Sequence, residues 1–282
     1  MNGAEIFKFL CGLNLDFGEF DWLQNRGLSE FELLISVILT QNTNWNNVLK
    51  ALDNVRSAGI SSLDELNSLN LNELATLIKP SGFYNQKAKR LKAFTKRLLS
   101  EFESLENFKE NVSRQWLLGV KGLGFESADS ILNYLCQREI LVVDSYTKRL
   151  AAALGYEFES YDELREFFES GVESEQDALC ECLENSGFGG FGGKKSVAFS
   201  EVKSAKNAEF SDLKGENSVF KSKNSTLKNK NDKKFSKKSQ KFTLCELYQI
   251  FHAQIIAFGK RYFKGQTLND EGRELLKVLK NE

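Results

Sequence analysis

Two glycines placed two residues apart, at the start of an amphipathic helix, constrain the fold of this chain more than any other feature. They are Gly122 and Gly124 in "LLGVKGLGFESADSILNYL", residues 117–135. The pattern predicts a helix that ends near Leu118, a tight turn, and a second helix that begins at Phe125, together a helix–hairpin–helix. Unpaired N–H groups and the dipole at the second helix's start favour an anion, and glycines let a phosphate approach closely. The turn therefore predicts contact with a nucleic acid backbone; a hairpin that only reverses the chain is the alternative.

The remaining sequence predicts an all-α fold. Only one proline occurs in 282 residues, and no convincing pair of strands is present. Apolar side chains at helical spacing in "FELLISVIL" predict a buried helix face, formed by Phe31, Leu34, Ile35, Ile38 and Leu39. Three further segments start with a capping residue followed three positions later by glutamate, which is typical of helix starts: Ser62 with Glu65, Asn70 with Glu73, and Ser160 with Glu163.

Charge is distributed unevenly along the chain. The whole chain carries −1, yet residues 186–241 contain fourteen lysines and five acidic residues, so this segment carries +9 and the rest −10. The segment opens "SGFGGFGG" and has neither a helical nor a strand period, which predicts a disordered basic insertion within one folded unit. It is either a solvated linker or a tether that attracts DNA.

Cysteine usage and hydropathy bear on the compartment. The five cysteines form no Cys-x-x-Cys pair, which fits a reducing cytosol. No run of eighteen apolar residues and no charged-then-apolar leader occurs, so we expect neither a membrane span nor a signal peptide.

One carboxylate stands out in "VVDSYTKRL", where Asp144 would lie just before a helix. Aspartate is among the best N-cap residues, which is the structural interpretation. The helix dipole also favours the ionised carboxylate at that position. If it faces a cleft, such a carboxylate could stabilise an oxocarbenium-like sugar or activate water, which is the catalytic interpretation.

Five blocks occur in an order and at a spacing that resemble the endonuclease III, or HhH-GPD, superfamily of DNA glycosylases. The 3-methyladenine DNA glycosylase III branch is the most similar. This resemblance implies two helical domains with a central cleft that receives a flipped base. The implied boundaries are 28–138 for one domain, and 1–27, 139–185 and 242–282 for the other. The blocks are "ILTQNTNW" (38–45), "KPSGFYNQKAKRL" (79–91), "GVKGLGFESAD" (119–129), "VVDSYTKRL" (142–150) and "LYQIFHAQIIAFGKRY" (247–262).

The resemblance implies roles for individual residues. Asp144 matches the catalytic aspartate, and Gly122 and Gly124 match the phosphate-binding hairpin. Glu126 stands where lyase-competent relatives have lysine, so no Schiff base can form there, and the resemblance implies a monofunctional glycosylase. Glu126 is expected to face the base pocket instead.

The base pocket and the DNA contacts are assigned in the same way. Trp45 matches an aromatic residue that stacks on the flipped base, and Trp22 is expected to supply the second wall. Gln41 matches the residue that fills the gap left in the duplex. Candidate phosphate contacts are Lys121, Lys87, Lys89 and Arg90.

Two departures from the family bear on cofactors and specificity. Many members bind an iron–sulfur cluster through four C-terminal cysteines, whereas Phe263 stands at the first of these positions and no cysteine follows it. We therefore expect no cofactor and no metal. Gln254 replaces a lysine that lies near the pocket in the 3-methyladenine branch, and His252, the only histidine, is interpreted as structural.

The sequence thus predicts a base excision repair glycosylase that releases an alkylated purine, 3-methyladenine above all, from double-stranded DNA. Two alternatives are an endonuclease III-like glycosylase for another damaged or mismatched base, and a helix–hairpin–helix protein that binds DNA without catalysis. We expect a monomer in a bacterial-type cytoplasm, associated with the nucleoid through DNA and not with a membrane.

Overall fold

The computed structural model describes residues 1–16, 27–186 and 242–280. Fourteen α-helices occur in these ranges, so the predicted all-α class is confirmed. Trp22 and the predicted basic insertion lie outside the described residues, apart from Ser186. The helices are α1 (Gly3–Gly12), α2 (Glu30–Leu39), α3 (Trp45–Ser57), α4 (Leu63–Ser68), α5 (Leu71–Leu77), α6 (Tyr84–Phe102), α7 (Leu105–Asn111), α8 (Arg114–Leu118), α9 (Phe125–Ser130), α10 (Ser145–Leu154), α11 (Tyr161–Glu169), α12 (Gln176–Asn185), α13 (Leu244–Tyr262) and α14 (Asp270–Lys280).

Three short elements complete the described structure. A 3₁₀ turn at Lys79–Ser81 contains the single proline. A π-helical turn at Ile131–Leu135 continues α9. One antiparallel hairpin, β1 (Phe263–Lys264) with β2 (Thr267–Leu268), connects α13 to α14. No helix in the described ranges is both long and apolar enough to cross a membrane.

Side-chain caps explain where several helices begin. The hydroxyl of Ser62 accepts a hydrogen bond from the N–H of Glu65, and Ser160 caps α11 in the same way. Asn70 and Glu73 form a reciprocal capping box at α5. These three predicted starts are confirmed, because each oxygen satisfies an N–H group that has no partner inside its helix.

The helix–hairpin–helix is also confirmed, since α8 ends at Leu118 and α9 begins at Phe125. Gly122 lies in the turn at φ +95°, and a Cβ there would lie 2.8 Å from the Arg90 side chain. Both the left-handed backbone and the close approach therefore require glycine at this position.

Two separate hydrophobic clusters form the interior. One consists of buried residues between 31 and 142, and every residue of α2 from Phe31 to Leu39 is buried within it. The predicted apolar face is confirmed, although burial extends around the whole helix. The other cluster draws on residues 4–15, 141–183 and 242–276. The exact domain boundaries stay a prediction.

Polar side chains join the two clusters. The Arg114 guanidinium on α8 donates to both carboxylate oxygens of Asp129 on α9, at 2.6 and 3.0 Å. It also lies 2.7 Å from the carboxylate of Asp162 on α11. Asp129 is fully buried, and burial raises its pKa while Arg114 opposes that rise. This ion network fixes α9, which follows the hairpin glycines, against α11 of the other cluster.

We expect Arg114→Met to lower the free energy of unfolding by about 3 kcal/mol, because it leaves the Asp129 carboxylate buried without its cation. Chemical denaturation at neutral pH measures the change. Lys277→Met is the matched control, since Lys277 forms an exposed pair with Glu274 and should change stability by less than about 1 kcal/mol. Equal effects of the two substitutions would contradict a structural role for the network.

Candidate active-site cleft

An open cavity of about 750 Å³ lies between the two hydrophobic clusters. It is lined by the turn after α2, the start of α9 and the starts of α10 and α11. A slightly larger cavity of about 810 Å³, between α10 and the β1–β2 hairpin, contains none of the predicted site residues. Four of the predicted site residues line the first cavity: Gln41, Gly124, Glu126 and Asp144.

The two carboxylate oxygens of Asp144 have different surroundings. Its Oδ1 accepts hydrogen bonds from the N–H groups of Tyr146 and Thr147, at 2.8 and 2.9 Å, and from the Thr147 hydroxyl at 3.1 Å. The predicted N-cap of α10 is therefore confirmed. Oδ2 takes no part in the cap, and it lies 3.9 Å from Nε2 of His252. One oxygen thus anchors the helix while the other is left available to the cleft.

Glu126 lines the same cavity from the first turn of α9. Its side chain reaches solvent, but the concave walls of the cleft displace much of its hydration. This desolvation, followed by repulsion from the Asp144 carboxylate, raises the pKa of Glu126 to about 7. Glu126 is therefore partly protonated near neutral pH.

Gln41 is held in place by both ends of its amide. Its Nε2 donates to the carbonyl of Gly122 at 2.9 Å and to the Ser127 hydroxyl at 3.1 Å, and its Oε1 accepts from Arg90 at 2.9 Å. Arg90 therefore supports Gln41 and the hairpin in this structure. These contacts couple the predicted gap-filling residue to the predicted phosphate-binding turn.

The prediction that Lys87 contacts phosphate is wrong. Lys87 is only 2% exposed, and its ammonium group donates to the carbonyls of Leu39 and Ser81 at 2.8 and 2.7 Å. It satisfies carbonyl groups at the end of α2 and in the 3₁₀ turn, and burial lowers its pKa to about 8. Lys89 and Lys121 are exposed, and their phosphate contacts stay predictions.

Gln254, which stands where the 3-methyladenine branch has lysine, is not among the described residues that line the cleft. It is buried, and its Nε2 lies 3.2 Å from Sγ of Cys11 on α1, inside the second cluster. His252, two residues earlier on α13, lies instead with its Nε2 3.9 Å from Oδ2 of Asp144, because residues two apart point to different sides of a helix.

The aromatic residues of the site differ in part from those predicted. Trp45 begins α3 and packs against the first cluster, and it is not among the described residues that line the cleft. The described residues place Phe125 and Tyr161 there instead, stacked with ring centroids 5.3 Å apart. The base-stacking roles of Trp45 and Trp22 stay predictions.

Phe83 is a surface feature that sequence reasoning missed. It is 68% exposed, adopts a left-handed φ of +46°, and precedes α6. It lies about 10 Å along the helix axis from Arg90, since an α-helix rises about 1.5 Å per residue. An aromatic residue directly after Gly82, in a turn between a proline and a helix, is the sequence signal that could have indicated it.

No metal site is apparent in the part of the chain that the structure describes. No group of three or more His, Cys, Asp or Glu side chains lies close enough together to hold an ion. All five cysteines are in the described ranges and carry free thiols. The expectation that the protein needs no cofactor stays a prediction.

The chain is similar in sequence to DNA repair proteins. Residues 35–174 match the family described as HhH-GPD superfamily base excision DNA repair protein. A Methanocaldococcus jannaschii protein, whose name as a DNA repair glycosylase is itself provisional, is 41% identical over 177 residues, covering 60% of this chain and 77% of the relative. Endonuclease III of Thermotoga maritima is 30% identical over 131 residues, covering 45% of this chain and 57% of the relative.

Solved structures extend the similarity to the fold. The crystal structure of the H. pylori 3-methyladenine DNA glycosylase bound to 1,N6-ethenoadenine matches with a TM-score of 0.66 and 32% identity. The match covers 94% of this chain and all of that chain. A trapped endonuclease III–DNA covalent intermediate matches with a TM-score of 0.50 and 16% identity, over 86% of this chain and 79% of that chain. At that identity the second match shows a shared fold alone.

We expect Glu126→Gln to become more stable relative to the wild type as pH rises through the window between about 4.5 and 7. The usual pKa of a glutamate is 4.5, so within this window Glu126 has lost its proton in the unfolded chain. In the folded wild type it still holds that proton. The wild-type free energy of unfolding therefore falls as pH rises, whereas glutamine does not titrate. Urea unfolding at pH 5 and at pH 8 measures the difference.

Glu65→Gln is the matched control for this experiment. Hydrogen bonds from Ser61 hold the pKa of Glu65 below its usual 4.5. The contribution of Glu65 to the free energy of unfolding is therefore lost only as pH falls below that value. The offset between Glu65→Gln and the wild type should stay constant between pH 5 and pH 8. A constant offset for Glu126→Gln as well would contradict the raised pKa of Glu126.

Proposed function

The chain belongs to the HhH-GPD superfamily of base excision DNA repair proteins, and from that premise we propose that it is a monofunctional glycosylase that releases alkylated purines, 3-methyladenine above all. The resemblance carried by the five sequence blocks is confirmed, and the protein is a base excision repair DNA glycosylase. The observation that carries the finer proposal is the pair of carboxyl groups in the cleft, Asp144 with one unengaged oxygen and Glu126 beside it.

Asp144 is the proposed catalytic residue. Cleavage of an N-glycosidic bond leaves positive charge on the sugar, and a fixed carboxylate stabilises that charge without reorganising. Because Oδ1 is held by three hydrogen bonds, Oδ2 is positioned by the helix start rather than by a flexible side chain. The same oxygen can orient the attacking water.

A cationic leaving group suits this site. A 3-alkylated adenine already carries positive charge, so its departure needs no strong general acid. Glu126 offers a carboxyl group in place of an amine, and a carboxyl group cannot form a Schiff base with the sugar. Strand cleavage by β-elimination should therefore be absent or weak, and water displaces the base.

DNA binding is assigned to the surface around the hairpin. The N–H groups near Gly122 and Gly124, with the exposed amines of Lys89 and Lys121, would contact phosphates on either side of the flipped nucleotide. Phe83 is the proposed wedge, because proteins that kink DNA insert exposed apolar side chains between base steps. We expect one protein molecule to bind one lesion in double-stranded DNA.

The substrate is the point on which the alternative functions differ. Release of another damaged or mismatched base would use the same carboxylates and the same hairpin. A binding protein without catalysis would have no use for an unengaged carboxylate oxygen facing the cleft, and this argues against that alternative.

We expect Asp144→Asn to lower single-turnover base excision roughly a hundredfold or more, because the charge that stabilises the sugar is lost. Asparagine is also a good N-cap, so the helix should form and binding to an abasic-site duplex should persist. The excised base is measured by chromatography. Asp64→Asn, at an exposed position on α4, is the control and should retain wild-type activity. Near wild-type excision by Asp144→Asn would refute the catalytic assignment.

We expect the wild type to release 3-methyladenine from methylated duplex DNA, and Trp45→Ala to lose most of this activity. Stacking of a base on an aromatic ring is worth about 1–3 kcal/mol, and Trp45→Phe should retain it in part. Duplexes that carry an oxidised pyrimidine or a mismatch complete the panel. Release of an oxidised pyrimidine with methylated DNA left intact would favour the endonuclease III-like alternative.

A further inference from the structure

A buried histidine lies directly behind the proposed catalytic carboxylate. His252 on α13 is 3% exposed. Its Nδ1 lies 2.7 Å from the hydroxyl of Tyr134, in the π-helical turn that follows α9. Its Nε2 lies 3.9 Å from Oδ2 of Asp144 and has no hydrogen-bond partner among the residues that the structure describes. A buried polar atom without a partner is costly and calls for an explanation.

The surroundings of the ring determine which nitrogen carries the proton. If Nδ1 carried it, the lone pair of Nε2 would face the negative charge of Asp144. If Nε2 carries it, the N–H group points towards Oδ2, and Nδ1 accepts a hydrogen bond from the Tyr134 hydroxyl. The second arrangement satisfies both contacts, so the Asp144 charge and the Tyr134 hydroxyl together favour the tautomer in which His252 presents an N–H group to Asp144.

We propose that His252 is a positioning residue, which donates from Nε2 to Oδ2 of Asp144 and aims that oxygen at the sugar of the flipped nucleotide. The proposal rests on the assigned role of Asp144. At 3.9 Å the two atoms are too far apart for a hydrogen bond, and catalytic hydrogen bonds that are long in a free enzyme tighten in its substrate complex. The cap holds Oδ1, so a small rotation about it can bring Oδ2 to the imidazole.

A neutral imidazole suits this role better than a charged one. An imidazolium would neutralise the charge that Asp144 offers to the sugar, whereas a neutral N–H group orients the carboxylate and leaves its charge intact. Burial lowers the pKa of His252, and the Asp144 charge opposes this only in part. The other titratable groups around the carboxylate are Glu126, Lys148 and Tyr161, which line the cleft from α9, α10 and α11.

The experiment compares single-turnover excision by the full-length protein and its variants across pH 5 to 9, on methylated duplex DNA at saturating enzyme. His252→Leu removes the N–H group, whereas His252→Gln places an amide N–H near the position of Nε2. Tyr134→Phe removes only the hydroxyl that helps to favour this tautomer. Gln254→Leu is the matched control, because Gln254 is a buried polar residue of the same helix that contacts Cys11.

We expect His252→Leu to slow excision roughly ten- to a hundredfold, as for other groups that orient a reacting residue, with unchanged affinity for an abasic-site duplex. Without its donor the carboxylate accepts a proton more readily, so the acid limb of the pH–rate profile should move to higher pH. His252→Gln should recover much of the rate and the wild-type profile. The excision rate of Tyr134→Phe should lie between those of His252→Leu and His252→Gln. The rate of Gln254→Leu should match that of the wild type.

A double variant separates this inference from the function on which it rests. If His252 acts through Asp144, adding His252→Leu to Asp144→Asn should cause no further loss of rate. Wild-type rate and profile in His252→Leu, or additive losses in the double variant, would overturn the positioning role while the assignment of Asp144 stands. Full activity of Asp144→Asn would overturn both. If His252→Leu fails to fold, a wild-type rate and a wild-type pH–rate profile in Tyr134→Phe overturn the role.

Discussion

The guanidinium of Arg114 spans the boundary between the two hydrophobic clusters, and the shape of the cleft depends on it. Asp129 on one side is fully buried and would be strongly destabilised without this cation, while Asp162 on the other side belongs to the helix that carries Tyr161. Hydrophobic contacts have little directionality, so by themselves they would not fix the position of one cluster relative to the other. A bidentate ion pair has a fixed geometry, so it sets the distance between the hairpin and the opposite wall.

Stability and proposed chemistry share one carboxylate in this protein. Asp144 starts α10 with Oδ1 and offers Oδ2 to the cleft. The N–H groups and the dipole of the helix compensate Asp144 for the hydration that it loses in a partly enclosed site. Glu126 has no such compensation, and its pKa rises accordingly. Two carboxyl groups in one cavity thus have different backbone environments.

Local chemistry made much of this fold predictable. The caps at Ser62, Asn70 and Ser160, and the hairpin around Gly122, depend on side chains within a few residues of the helix that they start or end. Lys87 was wrongly assigned to the DNA surface, and the position of Gln254 was not predictable, for the opposite reason. The sequence around each residue does not determine which way its side chain points. The direction is shown only by a distant partner, Leu39 for Lys87 and Cys11 for Gln254.

The sequence by itself determined the helical class, the helix–hairpin–helix and the N-cap at Asp144. These follow from turn geometry, capping and residue identity, which are properties of short segments. Only the tertiary structure decided that His252, 108 positions from Asp144 along the chain, reaches its second oxygen, and that Gln41 and Arg90 support the hairpin. Contacts between distant segments depend on how whole helices pack, and a spacing pattern within one helix carries no information about the helix that faces it.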